Sequence, residues 1–231
     1  MSLLISLFTG EETKMAIEIN VWIYWLFCVI AMSLIIIYRT SWTQPLLSQP
    51  AATTQTTTQT ATNKGKNYSI ALSLGWLSTV IAAIGYILFI HKYENGNYEI
   101  PDVLMFSVSN GILEQFMFVF WLLIGCYLGK LFAPDHPRVI FGLGFTVYAV
   151  FSGLIHAFFW TTVLPPHEPV SVWMALVLTV MSFLWMWLFW RHQAILAIIS
   201  MHIFVDFFMI SHLHFTWFEP LQALLQNQHL G

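Results

Sequence analysis

The chain has 231 residues, 58% of them hydrophobic and only 8% charged, with a formal net charge of −3. Soluble domains carry about 25% charged residues, so this composition excludes one and predicts a polytopic membrane protein. The Lys and Arg residues are scattered singly, which leaves no basic face for a nucleic acid, and Cys28 and Cys126 form neither a disulfide framework nor a CxxC pair.

A membrane-spanning helix needs about 20 mostly apolar residues. Six stretches qualify, at 20–38, 69–91, 103–132, 139–164, 169–190 and 193–214, so the expected fold is all-α, a polytopic membrane bundle of about six transmembrane helices. Residues 1–41 hold an N-terminal segment and the first span, without the basic start of a secretory signal. Residues 42–67 are rich in Thr, Gln and Ala, bury too little apolar surface to offset ordering, and read as a disordered linker. Residues 68–216 form the transmembrane core, and 217–231 read as an interfacial tail.

The third stretch is long. It would run to about 45 Å at 1.5 Å per residue, against a hydrocarbon core of about 30 Å. It is expected to tilt, to start outside the core or to kink, with Asn110-Gly111 as the natural break and Glu114 one turn beyond.

Basic residues set the orientation. Arg39, Lys64, Lys66, Lys130, Arg138 and Arg191 fall in loops on one side, Lys14 and Lys92 on the other. The first side is therefore expected in the cytoplasm, with both termini extracytoplasmic, in an integral protein of the plasma membrane.

An ionisable residue at the centre of a spanning helix costs about 2.5–3.5 kcal/mol on insertion scales, and such residues face a bundle interior or a wet cavity. Glu114, His156, His202 and Asp206 stand out, at about 12–18 Å from the expected outer boundary, a shared layer. His202 and Asp206, at i and i+4, share one helix face, as do Ser152 and His156. Interhelical hydrogen bonding would account for any one of these residues, whereas four at one depth favour a site. Two chemistries fit. Glu114 and His156 could act as general bases on a water while His202 and Asp206 hold a substrate carbonyl. Alternatively the four could bind a divalent metal, zinc suiting such a set, that activates the water. The Trp and Phe residues are expected in interface belts and packing.

The order of these residues resembles the CPBP intramembrane protease family, which includes CAAX prenyl endopeptidases and relatives linked to bacteriocin processing and immunity. Its EExxxR, FxxxH and HxxxN/D motifs correspond to EQFMFV from Glu114, SGLIH ending at His156, and HIFVD from His202 to Asp206, over about residues 103–214. The resemblance implies that Glu114 and His156 activate the attacking water and that His202 and Asp206 shape the oxyanion site, with Asn110, Gln115 and Ser152 in supporting or substrate-binding positions. Three positions depart from the motifs. Gln115 replaces the second glutamate, Val119 the arginine and Ser152 the phenylalanine. Gln115 and Val119 are i and i+4, so a same-face ion pair is absent as a whole.

The expected function is an intramembrane endopeptidase hydrolysing a membrane-associated, CAAX-type peptide, with no cofactor required by the water-activation reading and zinc by the other. Its partners would be that peptide and the lipid bilayer. CAAX processing is cytoplasmic whereas the polar layer falls in the outer half. Either the orientation is inverted, the substrate is a membrane or exported peptide, or a cavity reaches across. A second expectation is a non-catalytic interaction or bacteriocin-immunity protein that keeps the fold. A third is a metal- or haem-binding transport protein using His156 and His202.

Overall fold

In hydrocarbon every backbone N–H and C=O must be paired within the protein, and a helix does this locally for any apolar stretch. Among the described residues six helices form accordingly: α1 (Glu12–Ile37), α2 (Thr57–Tyr93), α3 (Ile100–Phe132), α4 (Pro137–Thr162), α5 (Glu168–His192) and α6 (Ile195–Met209). The computed structural model describes residues 12–38, 57–93, 100–162 and 168–209, and side chains within 21–38, 67–88, 100–156 and 173–209. Four helices are long and apolar enough to cross a membrane: Asn67–Leu88 of α2, all of α3, Pro137–His156 of α4 and Trp173–His192 of α5. The shorter apolar stretches Val21–Ile37 and Ile195–Met209 complete the all-helical membrane bundle. Large apolar side chains such as Leu26, Leu88, Leu154 and Leu176 are exposed on its outside, where lipid is the solvent.

Two expectations about these elements change. Helix α2 starts at Thr57, inside the stretch assigned to the linker, so residues 57–67 are helical. Extending an existing helix requires one more fixed residue per hydrogen bond and avoids the nucleation cost, so a spanning helix can propagate into a tract of low apolarity. Residues 42–56, the tail 217–231 and both termini lie outside the described residues. In addition, α3 is one continuous helix of 33 residues and does not break at Asn110-Gly111. Gly111 serves a close approach instead, because a Cβ there would lie 2.7 Å from the backbone nitrogen of Ile203 on α6.

Helix α3 is the centre of the bundle. It packs broadly on α4, where Gly125 and Gly129 lie against the backbone of Leu143, Gly144 and Ile140, and it also contacts α1 and α6. Small residues at such a crossing let two backbones approach closely, a common way to join helices when lipid and side chains are equally apolar. Helix α2 packs on α5 and α6, and Trp185 on α5 donates its indole N–H to Thr79 Oγ1 at 3.0 Å. Gln193, with φ of 52°, ends α5 in the left-handed conformation and turns the chain directly into α6. Helices α4 and α5 meet through large aromatic side chains, Phe141 and Phe145 of α4 against Phe183, Trp187 and Trp190 of α5.

Candidate functional site

The buried residues of α6 are Ile198, Met201, His202, Val205 and Asp206, the i, i+3, i+4, i+7, i+8 stripe of one helix face. The two ionisable residues therefore belong to the face that packs inward. On α3 the buried stripe likewise runs through Ser107, Asn110, Gly111, Glu114, Gln115 and Phe118. Contact between the stripes at Gly111 and Ile203 sets the polar residues of the two helices side by side.

Their contacts form one network. His202 Nε2 lies 3.4 Å from Glu114 Oε2 and 3.6 Å from Asp206 Oδ1. The Asn110 amide donates to Glu114 Oε2 and to Asp206 Oδ2, each at 2.9 Å. Asn110 Oδ1 accepts the indole N–H of Trp25 at 2.9 Å. An indole nitrogen can only donate, so Trp25 fixes the Asn110 amide with its NH2 group towards both carboxylates. Glu114 Oε1 accepts the Tyr24 hydroxyl at 2.8 Å. Gln115 Oε1 lies 3.2 Å from His202 Nδ1, whereas Gln115 Nε2 is buried without a protein partner. Both ring nitrogens of His202 thus face oxygen acceptors. Among the described side chains Lys130, Arg138 and Arg191 are all exposed, so no lysine or arginine among them enters the site, and His202 is the basic group between two carboxylates.

His156 faces this network from α4. It lines the same cavity, of about 280 Å³, with Glu114, His202 and Asp206, and its Nδ1 is 2.8 Å from the Ser152 carbonyl oxygen and 3.3 Å from Ser152 Oγ. Donation to the carbonyl places the proton on Nδ1 and the basic lone pair on Nε2. Phe118 of α3 is in contact with both histidines, 5.6 Å from the His202 ring in a stacked arrangement and 6.3 Å from the His156 ring. The aromatic neighbour of His156 is thus supplied by α3, while Ser152 itself is bonded to the ring.

Of the four residues expected to converge, three meet directly. Ligand atoms of Glu114, His202 and Asp206 lie within 4.8 Å of one another, and His156 is not in that set. Of the four residues expected around a metal, Glu114, His202 and Asp206 present ligand atoms at that mutual spacing, while His156 has its Nδ1 bonded to Ser152. The three fit a divalent ion such as zinc: one imidazole and two carboxylates, with Gln115 on the far nitrogen of the histidine and Asn110 on both carboxylates, the kind of outer hydrogen bonds that orient metal ligands. The same three also suit a carboxylate base beside an imidazole donor.

Gln115 and Val119 have separate environments. Gln115 touches His202, and Val119 is 1% exposed in the apolar core. Gln115→Glu would bury a third carboxylate with no arginine to match it, and uncompensated buried charge costs about 3–5 kcal/mol. The variant is expected to melt well below the wild type in detergent; equal melting would show that the site accepts the added charge.

Tyr24 and Trp25 were not legible as site residues, since nothing in their spacing ties them to residues about 90 positions away. Cys28, which the sequence places on a distant helix, is fully buried in a cluster with Met117 of α3, one turn of α1 beyond Tyr24. No protein-family model, curated protein or solved structure matches the chain.

Proposed function

We propose that the protein is an intramembrane endopeptidase that hydrolyses a peptide bond of a membrane-associated substrate. The observation that carries the reading is the convergence of Glu114, His202 and Asp206 inside an apolar bundle, on the wall of a cavity that also holds His156. Burying two carboxylates and a histidine is costly, and a binding surface that only packs against a partner has no use for them there. The resemblance to CPBP proteases supports the same reading, with Glu114, His156, His202 and Asp206 at the matching positions.

In this reaction Glu114 takes a proton from water as the oxygen attacks the peptide carbonyl, and His156 Nε2 offers a second acceptor. The carbonyl electrons move onto oxygen, where the His202 N–H stabilises the oxyanion. Collapse of the intermediate breaks the C–N bond, and the proton held by Glu114 passes to the leaving amine. Asp206 and Gln115 keep the His202 ring in place.

The cavity is lined by Ser152 and His156 of α4 and by Thr179 and Ser182 of α5, next to the exposed apolar side chains Leu154 and Val180, which supports a substrate that arrives from the bilayer. The charge bias of the loops supports extracytoplasmic termini and a site in the outer half of the membrane, which favours an exported or membrane-resident peptide.

A second reading keeps the reaction and changes what activates the water. The three-ligand set would hold a divalent ion, which lowers the pKa of bound water and polarises the carbonyl. The test is to purify the full chain, reconstitute it in liposomes with membrane-anchored and prenylated peptides, and identify products by mass spectrometry. Cleavage that survives chelation, with no stoichiometric metal in the sample, supports Glu114 as base; cleavage abolished by chelation and restored by zinc supports the metal. Binding of peptides without turnover under either condition would replace the peptidase by the non-catalytic interaction protein.

A further inference from the structure

We infer that α1 is part of the reaction machinery, with Tyr24 and Trp25 as positioning residues for the Glu114 carboxylate; this rests on the peptidase reading of the site. Helix α1 lies outside the stretch that carries the three motifs, and its broad contact is with α3. Yet it supplies two of the hydrogen-bond donors of the network.

The two contacts divide the work. Tyr24 holds Oε1 directly. Trp25, 3% exposed and packed with Val103 and Phe106 of α3, acts through Asn110, whose amide holds Oε2. A glutamate side chain has three rotatable bonds, and with an acidic neighbour at Asp206 and no arginine beside it among the described side chains, its position depends on the donors around it. Hydrogen bonds to a charged acceptor in a water-poor interior are among the stronger ones available. Fixing both oxygens leaves the carboxylate aligned against the cavity, the placement on which general-base catalysis depends. Without the indole N–H, the buried Asn110 Oδ1 loses this donor and the amide is held from the carboxylate side alone, so Trp25 acts on Glu114 through the placement of Asn110.

Two conservative variants isolate these contacts. Tyr24→Phe removes only the hydroxyl, and Trp25→Phe removes the N–H and keeps an apolar ring. In the full-length reconstituted protein each is expected to lower kcat by about 10- to 100-fold, with KM within about twofold. Melting should stay close to wild type. Leu26→Ala, on the exposed face of α1, is expected to leave kcat unchanged. Wild-type kcat in both Phe variants, or a fall that only tracks lost folded protein, would overturn the inference. An infrared readout works without turnover. The difference between wild type and Glu114→Gln isolates the Glu114 carboxylate band, and Tyr24→Phe is expected to shift it; an unmoved band overturns the inference whether or not the protein cleaves. Absence of cleavage by the wild type together with a shifted band overturns the peptidase reading and leaves the hydrogen-bonded α1 arrangement standing.

Discussion

Glu114→Gln is expected to reduce peptide cleavage by about 10²–10⁴-fold while leaving the melting temperature of the protein unchanged or higher. The glutamine keeps the length and planarity of the side chain but cannot take a proton from water. It also removes one of two carboxylates that share a single imidazole, so His202 keeps Asp206 as its partner and no buried charge is left uncompensated. His202→Ala should lose activity to a similar extent with the opposite effect on stability. It takes the basic group away from two carboxylates at 3.4 and 3.6 Å and leaves them uncompensated, at a cost of about 3–5 kcal/mol. Cleavage rates and thermal melting measured on the same reconstituted samples separate the two effects. Full activity of Glu114→Gln would remove Glu114 from the chemistry, and a His202→Ala variant as stable as wild type would mean that the carboxylates do not depend on the imidazole.

The contrast between these two variants also shows what was legible in the sequence. Helix faces are written in residue spacing, so His202 and Asp206 could be placed on one side of α6, and the run lengths located the six helices. Contacts between helices are not written that way. Asn110 was conspicuous beside Gly111 as a candidate break, because both residues have poor helix propensity, but tertiary contacts override propensity. Asn110 is instead the bridge between Glu114 and Asp206, and Gly111 is the point where α3 and α6 touch. Tyr24 and Trp25 looked like ordinary aromatic residues of a first span. Their polar atoms matter only because α1 packs on α3 at the level of Asn110 and Glu114. The start of α2 was misplaced for a related reason, since composition reports what a segment can do alone and not what a neighbouring helix can propagate into it. His156 matched in depth but not in contact, because depth constrains one coordinate and the Ser152 bond decides the others.

Gly111→Val is expected to have the largest effect on the site of any substitution that touches none of its polar groups. A Cβ at position 111 would meet the Ile203 nitrogen and Cγ1 at 2.7 Å and the Ile203 Cα at 3.0 Å. Two of those atoms are backbone, which cannot rotate aside as a side-chain tip can, so the helices must separate. Asn110 lies next to Gly111 and Glu114 one turn further, while His202 and Asp206 flank Ile203. Moving α6 away by about 1 Å therefore stretches the 2.9 Å bond from Asn110 to Asp206 and parts Glu114 from His202, and misplacement on that scale can cost about 10²-fold in rate. Overpacking itself is expected to cost about 1–3 kcal/mol. Gly142→Ala is the matched control, since a Cβ there meets nothing within 4 Å, and it should change neither activity nor melting. If Gly111→Val cleaved and melted like wild type, the close contact of α3 with α6 would not be what holds Glu114 against His202.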